Sequence, residues 1–293
     1  MNEPVNPNLE AAVDPRQALS RYIRQPQIYI TLPSGGKYWP AGSLEMPING
    51  EIPVLSMSSY DELVLKTPDA LMNGQSVVDI IQSCIRNIKD AWAMPVVDLD
   101  YCLIAIRIAS YGESMGFTST CTGCGEWNEY NIDLKNFLNL PVDMARYEKI
   151  VEYDNNLKIK IKPRSYRDAN QANLEVFEQQ RIVNIVQDDS MDEQTKQQKF
   201  NEVFKRLTSL SLANIIGSVE YIEIDGTKVT QKPIIEEFIA NTDLKVYRKI
   251  QEHHNITQEV IPDKTVKTTC PECNHSYEIP FTFDHANFFA LAS

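Results

Sequence analysis

Nowhere in the 293 residues does an apolar run approach the roughly 18 positions that a bilayer-crossing helix needs, so no membrane segment is expected. The stretch MNEPVNPNLEAAVDPRQ lacks the basic-then-apolar order of a secretory leader, and a reducing compartment is the expectation. Basic side chains are scarce: 28 Lys and Arg face 40 Asp and Glu, a formal charge of −12. That sign opposes phosphate neutralisation and disfavours general nucleic-acid binding. Catalytic punctuation is missing too. There is no nucleophile elbow and no HExxH pair, and the glycines of SGGKYWPAG have neither the spacing nor the following helix of a phosphate loop. Only four histidines occur. His253 and His254 are expected on the surface at a helix end and His275 on an exposed strand, while adjacency to Asp284 gives His285 no catalytic geometry. No catalytic residue is nominated, and enzymatic function is not expected.

At 43% apolar and 23% charged, the chain has ordinary globular usage and room for about two compact domains. A polar, proline-containing arm spans 1–26. QIYITL is β-prone, and Asn49-Gly50 predicts a hairpin between LEMPI and EIPVL. Ser58 and Ser59 are good caps for YDELVLK, and TPDALMNG reads as a short capped turn of helix. SVVDIIQSCIRNI sets Val77, Ile80, Ile81, Cys84 and Ile88 at helical spacing. DLDYCLIAIRIASYG, with Asp98 as its cap and Gly112 at its end, is apolar around nearly its whole circumference, which predicts a buried central helix. Arg107 inside that run calls for an acidic partner.

From about Tyr147 the pattern changes. KIVEYDNNLKIKIKPRSY predicts a hairpin about Asp154-Asn155-Asn156, with Lys158, Lys160 and Lys162 on a solvated face. A helix from Tyr166 to Gln187, the break QDDSMDE, and a second helix to Ile216 predict a helical hairpin. Asp225-Gly226 marks another β-hairpin, followed by two shorter helices, KPIIEEFIANT and DLKVYRKIQEHHNI.

Of six cysteines, Cys84 and Cys102 sit in apolar helical patterns and read as small buried hydrophobes. The other four form two Cys-x-x-Cys pairs, Cys121/Cys124 and Cys270/Cys273, each after a β-prone segment and each followed by Gly or Asn. Tyr130, Ile132 and Leu134 follow the second Cys of one copy at the offsets that Ile279, Phe281 and Phe283 occupy in the other. This pseudo-repeat is the signature of a zinc ribbon, in which two knuckles give four thiolates to one structural zinc ion. A degenerate site without metal and redox-active pairs are the alternatives. The expected class is therefore α+β. A β-hairpin and helical domain, 27–144 plus 265–293, would be closed by the four-Cys knot and interrupted by a mostly helical insertion, 145–264.

The ordered runs TLPSGGKYWPAG, SMSSYDELVLKTPDALMNG, IIQSCIRNI, IAIRIASYGESM and CTGCGEWNEYNIDL resemble the T4-type bacteriophage baseplate protein family, whose members act in assembling the central hub of the contractile tail. The resemblance covers roughly residues 28 to 140 and brings no catalytic residues with it. It implies a late viral protein with baseplate or hub proteins as partners. Such a protein is made in the host cytoplasm and either stays in the virion tail or leaves as a chaperone. Tyr38, Trp39 and the segment 61–74, including Asp61, Glu62, Pro68, Asp69 and Asn73, form the candidate contact surface. Rival readings are a zinc-ribbon nucleic-acid-associated module and a cell-envelope hydrolase of the tail hub. The oligomeric state stays open.

Overall fold

The computed structural model describes residues 19–20, 22–65, 74–154, 156–186, 193–260, 264–281 and 288–289. Most of the arm 1–26, the stretch 66–73 with Pro68, Asp69 and Asn73, the break at 187–192, and residues 282–287 with Phe283 and His285 lie outside the described residues. The fold is α+β.

The first hydrophobic cluster forms around a helix that is apolar on every side. Helices α1 (Ser59–Leu65), α2 (Gln75–Cys84) and α3 (Val96–Tyr111) and strands β1 (Pro26–Ile30) and β2 (Ile52–Leu55) build it. α3 buries every residue from Leu103 to Ile108 and stops at Gly112, whose φ of 90° is open to glycine and strained for other residues. α2 turns Val77, Ile80, Ile81 and Cys84 inward; each fully buried aliphatic stabilises by about 1.5–3 kcal/mol. Phe288 and Phe289, distant in sequence, complete this cluster.

Four local expectations are corrected here. Asn49-Gly50 does make a turn, with Gly50 N–H bonded to Pro47 O, but it does not join paired strands. β2 pairs antiparallel with β1, because the arm before the turn is held elsewhere: Glu45 N–H donates to Asn87 O, and Leu44 bridges Ile88. Ile88 is buried as expected but lies beyond the helix end at Cys84. Asp98 sits in the first turn of α3 rather than at its cap, which is Pro95. Arg107 meets no carboxylate among the described residues: it donates to Phe288 O at 2.5 Å and lies over the rings of Phe288 and Tyr111. A carbonyl and two π faces offset part of the cost of burying this cation, while its Nε has no hydrogen-bond partner among the described residues.

A second cluster gathers on the four-stranded antiparallel sheet β5 (Ile150–Glu152), β6 (Leu157–Ile161), β7 (Val219–Ile224) and β8 (Thr227–Val229). The two hairpins read separately from sequence become one sheet through the β6–β7 pair, Ile159 opposite Ile222. Asp225 and Gly226 take φ of 49° and 79°, the paired left-handed residues that match strand twist. Lys160 is buried and reaches Glu148 at 3.6 Å, so this lysine departs from the expected solvated face. Short helices α4 (Lys135–Leu138) and α5 (Ala145–Glu148) lead into the sheet. Helices α6 (Tyr166–Val186) and α7 (Glu193–Ser218) pack against each other, followed by α8 (Lys232–Asn241) and α9 (Leu244–Gln258).

His254 is buried in α9, against expectation. Ser218 Oγ gives its proton to Ile215 O, so the His254 Nδ1, 3.0 Å away, must donate to Ser218. Burial first, then the Arg164 charge, lower its pKa to about 4, and the ring is neutral at pH 7. The clusters touch where Val96 N–H bonds Arg164 O, Tyr166 N–H bonds Met94 O, and Lys264 Nζ pairs with Asp100.

Candidate metal centre

Each cysteine pair caps a β-hairpin. Strands β3 (Ser114–Thr120) and β4 (Trp127–Asp133) flank Cys121 and Cys124; β9 (Thr265–Thr269) and β10 (Ser276–Pro280) flank Cys270 and Cys273. The two loops make the same backbone bonds at the same offsets. Cys121 N–H donates to Glu126 O at 2.8 Å, and Cys270 N–H donates to His275 O at 2.9 Å. Gly125 and Asn274 each return their N–H to the carbonyl of the first cysteine, with φ of 77° and 57°. Such a knuckle needs a left-handed residue at that place, which is why Gly and Asn stand there.

The four sulfurs lie within 4.8 Å of one another. Cys121 Sγ and Cys273 Sγ are 3.7 Å apart, and so are Cys124 Sγ and Cys270 Sγ. A tetrahedral ion with bonds of about 2.3 Å sets its sulfurs about 3.8 Å apart, whereas a disulfide requires about 2.05 Å. All four thiols are free. Each close pair runs between knuckles rather than within one, the arrangement of a shared tetrahedron and not of two separate redox couples. The donor set therefore fits a single soft divalent ion, and all four positions would be filled by protein. Backbone N–H groups from Cys273 and Glu272 pull the Cys270 thiol down to about 7, while at Cys124 a backbone bond from Glu126 is outweighed by the neighbouring sulfurs, which push the thiol up to about 12, so the loop geometry favours a thiolate at Cys270 and a proton on Cys124.

Supporting residues are visible around the sulfurs. Asn128 Nδ2 approaches Cys270 Sγ at 3.6 Å, and Gly123 N–H points to Cys121 Sγ at 3.3 Å. Tyr130 and Tyr277 join their hydroxyls across the two hairpins at 3.1 Å. His275 is exposed, as expected, but its ring covers Gly123, where a Cβ would come within 2.9 Å of it. Sequence reading missed Asn128 and Tyr277. Both stand four places after the second cysteine of their copy, one step earlier on the buried side than the offsets compared above.

The expected contact residues are placed differently from one another. Trp39 is half-buried, and its Nε1–H donates to Asp98 Oδ2 at 2.8 Å. Asp98 also takes the N–H and hydroxyl of Ser34; burial nonetheless raises its pKa to about 6. Tyr38, at φ 68°, packs its ring on Tyr147. Asp61 is buried, accepting from Arg24 at 2.8 Å and from the Ser58 N–H and hydroxyl, while Glu62 is exposed and takes the Tyr111 hydroxyl.

No curated protein and no solved structure matches the chain. A family model does: the one described as T4 bacteriophage base plate protein matches residues 26–290, so it spans both hydrophobic clusters and both knuckles. Because that match covers most of the 293 residues, the chain belongs to the T4 bacteriophage base plate protein family.

Proposed function

We propose that the protein serves in building the baseplate hub of a contractile phage tail, acting through protein–protein contacts and without a reaction of its own. The family match over 26–290 carries this reading. The four-cysteine centre supports it from chemistry: fully ligated by protein, the ion has no place for substrate or activated water, so its work is to clamp. The ion is zinc, suited to four thiolates in a tetrahedron. The protein acts in the host cytoplasm during assembly and reaches its partners through the outward-facing parts of Tyr38, Trp39 and Glu62. The domain division follows the same logic: 145–264 folds between the two knuckles, and ligation returns 265–293 to the first body.

Two measurements test this. Pull-down from infected cells at successive times, compared with purified particles, should recover hub proteins with this chain; recovery without any baseplate protein would refute the role. Metal analysis under reducing, chelator-free conditions should give about one zinc per chain. A metal-free preparation with unchanged folding would remove the clamp.

A further inference from the structure

The α6–α7 hairpin has two unlike sides. Gln179 on α6 and Val203 on α7 are buried and mark the faces turned toward the seam. At 100° per residue, Val176, Phe200, Phe204 and Leu207 lie to one side of that seam, with Phe177 at its outer edge. All five are exposed, Phe177 at 49%, Phe200 at 57% and Phe204 at 64%. The charges turn the other way: Glu175, Glu178, Lys199, Glu202 and Arg206 rotate to the opposite side. On the apolar side the flanking residues are mostly neutral, among them Asn173, Gln180, Asn201, Thr208 and Ser211; one cation, Lys196, lies between that side and the seam, a turn before Phe200.

We propose that this sparsely charged side is a homodimer interface, on which the α6–α7 hairpin of a second copy packs about a two-fold axis to make a four-helix bundle. Three observations favour a second copy over another occupant. A chain with a net charge of −12 repels its own copies across most surfaces, and this side is one on which they meet without opposing like charges. Flanking amides both donate and accept, so they are complementary to themselves across a two-fold axis, whereas a charged partner would find little counter-charge there, with Lys196 alone at the edge. The two hydroxyls on that side are already satisfied: Thr208 donates to Phe204 O at 2.9 Å and Ser211 to Leu207 O at 3.1 Å, so burial strands no donor. The area suffices as well. The five exposed side chains offer on the order of 400 Å² per copy, and with their flanks two copies reach the roughly 1,000 Å² that a specific interface requires. The inference does not depend on the baseplate role.

Sedimentation of the full zinc-loaded chain tests it. The wild type should be a dimer at micromolar concentration. Phe204→Glu, and separately Phe200→Glu, should raise the dissociation constant by at least about 30-fold, as expected for a buried aromatic anchor. Both residues are exposed in the monomer, so circular dichroism and zinc content should be unchanged in these variants. Glu178→Lys, on the charged side, should leave the dimer intact, and added salt should not dissociate it. A wild type that stays monomeric up to about 100 µM overturns the proposal. So does a dimer that survives both Phe variants. Should the monomeric wild type instead use Phe204 to hold another baseplate protein, the face belongs to that partner and the second-copy proposal fails.

Discussion

Eleven of the sixteen residues of α3 are buried, whereas around the four sulfurs the buried hydrophobic side chains among the described residues amount to Cys121, Cys270 and Tyr277, with Tyr130 and Ile279 against them. The first region holds itself by apolar burial. The second has too little apolar surface to offset the ordering of two loops, and under the proposed clamp ligation supplies the difference. One molecule thus uses two kinds of cohesion. Cysteine serves both, as inert filler at Cys84 and Cys102, where burial pushes the thiols up, and as a clustered donor set at the knuckles.

The strongest way to break this contrast is to remove ligation. Structural zinc supplies about 10–16 kcal/mol in small domains. Cys270→Ser or Cys121→Ser should therefore abolish metal content and open protease sites within 114–133 and 265–280, while the α3 core stays protected. Wild-type melting with full metal content in either variant would show the knuckles to be held by something else. Next in size, Leu103→Ala in the core of α3 should cost about 2–5 kcal/mol in urea unfolding and leave zinc stoichiometry untouched.

Acid should separate the two hydrophobic clusters. The Asp98 carboxyl titrates near 6 when folded against 3.8 ordinarily, so its contribution is full below 3.8 and is lost as pH rises through 6. His254 titrates near 4 against 6.5, so its contribution is full above 6.5 and is lost as pH falls through 4. Between about pH 4 and 6 the two slopes oppose each other. Asp98→Asn should remove a fall of about 1–3 kcal/mol, and His254→Gln a rise of about 1–2 kcal/mol after solvent screening, read from denaturant midpoints across pH. The smallest effect belongs to Lys267→Ala. Its 3.2 Å pair with Glu278 across β9 and β10 is exposed, and its loss should fall within the scatter of surface substitutions. A large loss of melting temperature there would mean that side-chain pairing, not metal, holds the hairpin.

Local periodicity made much of this fold legible. The α3 stripe, the Asp225-Gly226 turn and the long α6 and α7 needed no distant partner to be read, and the knuckles were legible because each writes its own left-handed residue into the sequence. What stayed hidden was partner choice. Asn49-Gly50 signals a turn, but that β2 would prefer β1 depends on Asn87 holding Glu45. Nothing near His254 announces Ser218, 36 positions away, and nothing near Arg107 announces the Phe288 carbonyl, 181 positions away. Asp98 looked like a cap because caps and buried acceptors use the same side chain, and only the Ser34 and Trp39 donors tell them apart.

The two knuckles stand far apart along the chain, with Cys124 and Cys270 separated by 146 positions. At translation rates of roughly 5–20 residues per second, the first pair of sulfurs emerges from the ribosome about 7–30 seconds before the second exists. During that interval the intervening sheet and helices can form first, and the earlier loop waits as a half-made chelate. Under the proposed clamp, nascent molecules in a zinc-starved cell would stall with one knuckle bare, and metal supply would then act as a timing control on the maturation of this polypeptide.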